Sequence, residues 1–280
     1  MLLKKNKLGH LLIFLIFIVF ISCEDTTISE NENELLVVTA YLYEGQPVKN
    51  IQLTKTLSLG SEDTIATAIT DATITLMKNG KSYLLENDID EEGYYVYNGF
   101  DLNVNSYDHF KIEILFEDQV ISGETEVPFK PQNMNLSKEI LELEELDSGG
   151  PFGGGGFISD SNSILISWDN VDSTLYYVVI ENIEENPESI YSDLPFAINR
   201  RFISLPSATR EYSITRRIIT HYGRHFAILY KVNQEYADLY DTSEQDSRNL
   251  NEPLSNISNG LGIFSAFASD TLSFEVIKDN

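Results

Sequence analysis

From Leu35 onward, apolar residues recur at every second position and short polar turns interrupt them, which is the period of half-buried strands and not of helices. Leu36-Val37-Val38-Thr39-Ala40-Tyr41-Leu42 predicts a first strand. Residues 74–77 and 83–85 flank Asn79-Gly80, a pair that tolerates positive φ, so a hairpin is expected there. Phe110, Ile112, Ile114 and Phe116 alternate along another strand, and Glu117-Asp118 turns the chain into Val120-Ile121. Val127-Pro128 and Pro131 close this first unit, because proline cannot donate to a sheet ladder.

A second unit follows. Residues 164–168, a polar turn at 169–172 and residues 176–180 resemble the second and third strands of a fibronectin type III sandwich, with Trp168 in its core. Later strands are predicted at 212–220, 225–231 and 271–277. Between the last two, Asn233 is expected to cap a short helix carrying Tyr236, Leu239 and Tyr240 on one face. Residues 256–264 then re-enter the sheet, with Gly260 and Gly262 permitting a tight bend. The fold class expected is all-β, with two β-sandwich units and one short helix. The N-terminal unit (35–130) is read as transthyretin- or immunoglobulin-like. The C-terminal unit (131–280) is read as an extended fibronectin type III-like sandwich with a glycine-rich loop at 148–157. No Gly-Lys-Ser/Thr follows that loop, so it is not a phosphate loop.

The first 23 residues break the pattern. Lys4, Lys5 and Lys7 precede an apolar run from Leu11 to Ile21, the basic and apolar regions of a secretory leader. The run has about 11 residues, short of the roughly 20 that a spanning helix needs. It ends Phe20-Ile21-Ser22-Cys23, which looks like a bacterial lipobox although Phe20 stands where leucine is commoner. Residues 1–22 are therefore expected to be removed, and Cys23 to carry diacylglycerol and a further acyl chain. Residues 23–34 form an acidic tether: Glu24, Asp25, Glu30, Glu32 and Glu34, with no base and one large apolar residue. An acidic stretch directly after the lipidated cysteine is similar to the surface-export signal of Bacteroidota lipoproteins.

Charge narrows the partners. The formal net charge is −25, and losing the leader's three lysines makes it three more negative. That disfavours nucleic acid and docking on anionic lipid, so membrane attachment must come from the lipid. With Cys23 the one cysteine, no internal disulfide forms.

Candidate chemistry is sparse. Asp88, Asp90 and Glu92 alternate before Gly93 as in a calcium loop, but Gly99 stands where the bidentate acid belongs, so an acidic hairpin tip is favoured. His221 and His225 have ligand-like spacing but fall at a strand–turn–strand, and neither they nor His109 has a matching acid motif; no metal site is expected. No nucleophile elbow, serine–histidine–acid set or paired-carboxylate motif is present, so no catalytic residues and no cofactor are assigned. All seven arginines lie between Arg200 and Arg248. Arg200, Arg201, Arg216, Arg217 and Arg224 are read either as internally paired or as a face for an acidic partner loop or a phosphate. Asp25-Thr-Thr, Asp63-Thr-Ile, Asp172-Ser-Thr and Asp270-Thr-Leu resemble the short O-glycosylation sequon of exported Bacteroidota proteins.

Several groups of residues together resemble the Bacteroidota outer-membrane lipoproteins of domain-of-unknown-function family 4249. They are the lipobox, the first strand at 36–42, Gly123-Glu-Thr-Glu-Val-Pro128, Ile166-Ser-Trp168 and the segment from Asn251 to Phe264. The resemblance implies a partner-type lipoprotein of TonB-dependent outer-membrane receptors. The function expected is a non-enzymatic, surface-exposed accessory subunit of an outer-membrane β-barrel complex. The alternatives are a structural subunit of a barrel-assembly or surface-lipoprotein-export machine, and a freestanding glycan- or protein-binding lipoprotein using Phe152, Phe157 or the tyrosines for stacking.

Overall fold

In this computed structural model, residues 35–57, 65–144, 162–190, 199–240 and 255–279 are described. Cys23, the tether, the glycine-rich loop, Asp25, Asp63 and Arg248 lie outside them. Seven strands come first: β1 (Leu36–Tyr43), β2 (Asn50–Lys55), β3 (Thr73–Lys78), β4 (Lys81–Asn87), β5 (Tyr94–Val96), β6 (His109–Phe116) and β7 (Gln119–Glu126). Then come β8 (Gln132–Leu136), β9 (Ile140–Leu143), β10 (Ile164–Asp169), β11 (Leu175–Asn182), β12 (Arg201–Ile203), β13 (Glu211–Ile214) and β14 (Gly223–Val232). Helix α1 (Gln234–Ala237), β15 (Ile257–Ser258) and β16 (Leu261–Lys278) complete the described chain. The protein is an all-β chain of sandwich sheets.

The first sandwich follows the predicted alternation. In β1, Leu36, Val38, Ala40 and Leu42 are buried, and they meet Ile112 and Ile114 of β6 in one core. Asn79 and Gly80 take φ of 49° and 81°, the mirror-image turn that suits strand twist, and β3 pairs with β4 across them. Strand β4 is the corner: it bonds β3 in one sheet and β5 in the other.

The second sandwich sets the three-stranded sheet β13-β10-β8 against the order β12-β11-β14-β16. Successive strands β10 and β11 thus lie in opposite sheets, with Trp168 buried between them against Tyr176 at 5.6 Å. The strand expected over 212–220 stops at Ile214. A 3-10 turn (Arg216–Ile218) replaces its end, because Ile218 N–H donates back to Thr215 O and Ile219 N–H to Arg216 O. Asn233 stands at the helix start, as expected, but its amide bonds Thr125 and Glu126 of β7 and not the helix backbone.

Strand β16 serves both sandwiches. Residues 261–267 pair parallel with β1, residues 267–276 antiparallel with β14, and residues 275–278 parallel with β9. Close approach explains Gly262: its φ is +110°, and a Cβ there would fall 1.9 Å from Val38 O. Beside it, β15 adds to β7, so a segment far along the chain completes the first sandwich. A third cluster, Tyr177, Val179, Tyr230, Val232 and Phe267, packs on the other face of β11 and β14, with Tyr41, Tyr43 and Tyr236 against it.

Candidate binding surfaces

The expected arginine face divides on inspection. Arg224 Nε donates to Glu184 Oε1 at 3.1 Å, and its own backbone N–H reaches the same oxygen at 3.0 Å. Those two bonds hold the Glu184 carboxyl below its usual range. Arg200 donates to the carbonyls of Glu184 (3.2 Å) and Glu185 (3.5 Å), so these two cations converge on one turn. Arg216 donates to Glu144 O just beyond β9, and its buried Nε has no hydrogen-bond partner among the described residues. Arg201, on β12, and Arg217 are exposed.

The histidine pair at 221 and 225 is interior. His225 Nδ1 donates to Gly223 O at 3.0 Å, and its Nε2 accepts from Asn182 Nδ2 at 3.3 Å, which fixes the neutral ring. The ring stacks on Phe274 at 5.1 Å. Burial pushes both His221 and His225 below the ordinary imidazole value. Among the described residues no group of three potential ligands could hold a metal ion. The Asp88 carboxylate accepts from Asp90 N–H at 3.0 Å, an Asx turn that shapes the acidic tip.

A cleft that the sequence reading did not identify lies where the two sandwiches join. Tyr107, Glu124, Thr125, Glu126, Phe129 and Lys231 are among the residues around its volume of about 490 Å³. Lys231 is 5% exposed, and its Nζ sits 3.1 Å from the centre of the Phe129 ring, a cation–π contact between β14 and the linker after β7. Burial pushes the Lys231 ammonium below its ordinary value, and Asp172 opposes this. Nearby, Glu235 Oε1 accepts from Thr125 Oγ1 (3.0 Å), Asn233 Nδ2 (3.1 Å) and Ser265 Oγ (3.1 Å), tying β7, α1 and β16 together. The cleft therefore works as a clasp. Its sequence signal is the inward series Ala227, Leu229, Lys231, in which a lysine takes an apolar position.

The model of the family described as domain of unknown function, DUF4249, matches residues 24–273. The chain belongs to the DUF4249 family. The matched DUF4249 segment begins one residue after Cys23 and takes in both sandwiches and most of β16. No curated protein matches the chain. Among solved structures it is similar to the FN1-FN3 domains of chicken CNTN1, at 10% identity and a TM-score of 0.27, covering 86% of this chain and 66% of that one. Domains A168-A170 of titin give 10% identity and a TM-score of 0.21, over 86% and 62%. The DUF4249 chain thus spans slightly less than two thirds of these structures.

Proposed function

We propose that this DUF4249 chain is a non-enzymatic Bacteroidota lipoprotein of the outer membrane, facing the cell surface. It acts as an accessory subunit of a TonB-dependent-receptor-like β-barrel complex. The observation that carries the reading is the lipobox at Cys23, followed by an acidic tether that runs straight into β1 at Leu36. A lipid on Cys23 confines the sandwiches to the membrane plane and raises their effective concentration beside a barrel. The described polar clusters fit a binding role, because Glu184, Glu235 and Lys231 each hold elements of the fold together. Of the arginines, Arg201 and Arg217 are assigned to the partner-facing surface, because Arg200, Arg216 and Arg224 are engaged with Glu184, Glu185 and Glu144.

Affinity purification of the tagged full-length chain from native membranes in mild detergent tests the reading. Recovery of a barrel protein in near-stoichiometric amount is expected, and recovery of the chain by itself contradicts it.

A further inference from the structure

The described residues include sixteen large apolar side chains that are exposed, and six of them gather at one end of the first sandwich. Leu35 exchanges bonds with Thr56, its N–H reaching Oγ1 at 3.1 Å and its O receiving the Thr56 N–H at 2.9 Å, which places Leu57 beside it. Lys55 N–H donates to Thr67 O, bringing in the segment that carries Ile65, which is 82% exposed. Leu53 N–H donates to Gly93 O, so the β4–β5 tip with Ile89, 96% exposed, lies at the same end. Leu115 and Val120 face each other across the β6–β7 hairpin, and Val120 shares a hollow with Leu35, Asn259 and Gly260. Isolated exposed aliphatics are ordinary on a soluble surface; a group of them at one pole is not.

This is also the pole at which the tether enters. Eleven residues separate Cys23 from Leu35, a reach of roughly 35–40 Å when fully extended. A lipid on Cys23 would therefore keep this end within that reach of the membrane. The surrounding charge decides what it fits. Asp90, Glu91, Glu92, Glu117 and Asp118 are exposed around the apolar side chains, and Lys55 lies 5.8 Å from the Phe116 ring among them. An acidic rim is repelled by lipid phosphates, whereas an apolar centre with a charged rim is how protein interfaces are built.

We propose that this anchor-proximal end, centred on Ile89 and Val120, docks on a protein surface of the barrel partner that presents an apolar floor rimmed by lysine and arginine. The inference rests on the accessory-subunit reading and adds to it a second contact surface, separate from the one assigned to Arg201 and Arg217. The tether then sets the distance over which the pole searches for its seat, and the apolar contacts set how long it stays.

The test uses the tagged full-length chain in native membranes, with Ile89→Lys and Val120→Lys combined. Phe100→Lys is the control, since Phe100 is fully exposed at the far end of β4, next to the Asp101 that Lys81 and Tyr97 hold. With the unfolding midpoint unchanged, the double variant is expected to recover at least tenfold less barrel than wild type, and Phe100→Lys as much as wild type. A photoreactive residue at position 120 is expected to form an adduct with the same barrel. Equal recovery by the double variant, or equal loss with Phe100→Lys, overturns the docking surface alone. Adducts only with lipid overturn it in favour of the bilayer. A wild-type chain that recovers no barrel overturns the accessory-subunit reading itself.

Discussion

His225 and Lys231 show two ways a sandwich interior accommodates a titratable side chain. His225 is neutral with both ring nitrogens engaged; burial lowers its affinity for a proton, the Gly223 carbonyl opposes this, His221 adds to it and Glu184 opposes it. Between the lowered folded value and about 6.5, the unfolded chain takes up a proton that the folded chain refuses, so stability falls as pH drops through that window. The thermal midpoint of wild type is expected to fall between about pH 7.5 and 5.5, and more steeply than that of His225→Phe, which keeps the stacking on Phe274. Parallel profiles for the two proteins count against this account. Lys231 is desolvated and held by the Phe129 ring, with no carboxylate within ion-pair distance among the described residues. Lys231→Met is therefore expected to leave stability unchanged or raise it by about 1 kcal/mol. Phe129→Ala, which uncovers the ammonium and opens the joint, is expected to cost about 2 kcal/mol or more in urea unfolding.

Among the elements, Asn256 substitutes for a missing stretch of strand. Its side-chain amide donates to Phe264 O at 2.7 Å and its Oδ1 accepts the Phe264 N–H at 2.9 Å, so one residue makes a ladder pair before β15 begins. Asn256→Ala leaves both backbone groups of Phe264 short of a partner and is expected to destabilise by about 2 kcal/mol in denaturant titration. Unchanged stability would show that water replaces the amide. Individual strands were legible in the sequence because their signal is local. The alternation of Val38, Ala40 and Leu42, and of Phe110, Ile112 and Ile114, reports one buried face directly, and Asn79-Gly80 reports its own turn. What the alternation does not carry is the partner of each strand. Parallel pairing of β16 with β1 joins residues more than two hundred positions apart, and only Gly262, placed where Val38 O leaves no room for a Cβ, hints at it. The strand predicted over 212–220 failed for the opposite reason: Arg216 and its neighbours carry strand-compatible residues, but local carbonyl bonds and the contact with Glu144 bend the chain.

At the scale of the molecule, the shared strand has a mechanical consequence. Residues 261–267 complete the first sandwich and residues 267–276 the second, without a break in β16. The Glu235 network and the Lys231–Phe129 contact reinforce the joint from two other elements. The two sandwiches are therefore expected to unfold together: fluorescence of Trp168 and far-ultraviolet circular dichroism should report one coincident transition. Two separated transitions would mean that β16 does not couple them. The candidate surfaces were less legible than the fold. Arginine clustering was visible in the sequence, but the turn at Glu184 that engages Arg200 and Arg224 forms only when β11 and β14 are side by side. The apolar pole was invisible, because Leu35 before β1, Ile89 in the β4–β5 tip and Val120 at the start of β7 are brought to one end only by the folded sandwich. On the proposed reading, a lipid on Cys23 would hold this coupled pair of sandwiches beside a barrel partner. Native mass spectrometry of the complex released from membranes tests this most directly. The account predicts one mass that combines a single lipidated chain with a barrel protein; the lipidated chain appearing only at its own mass would contradict it.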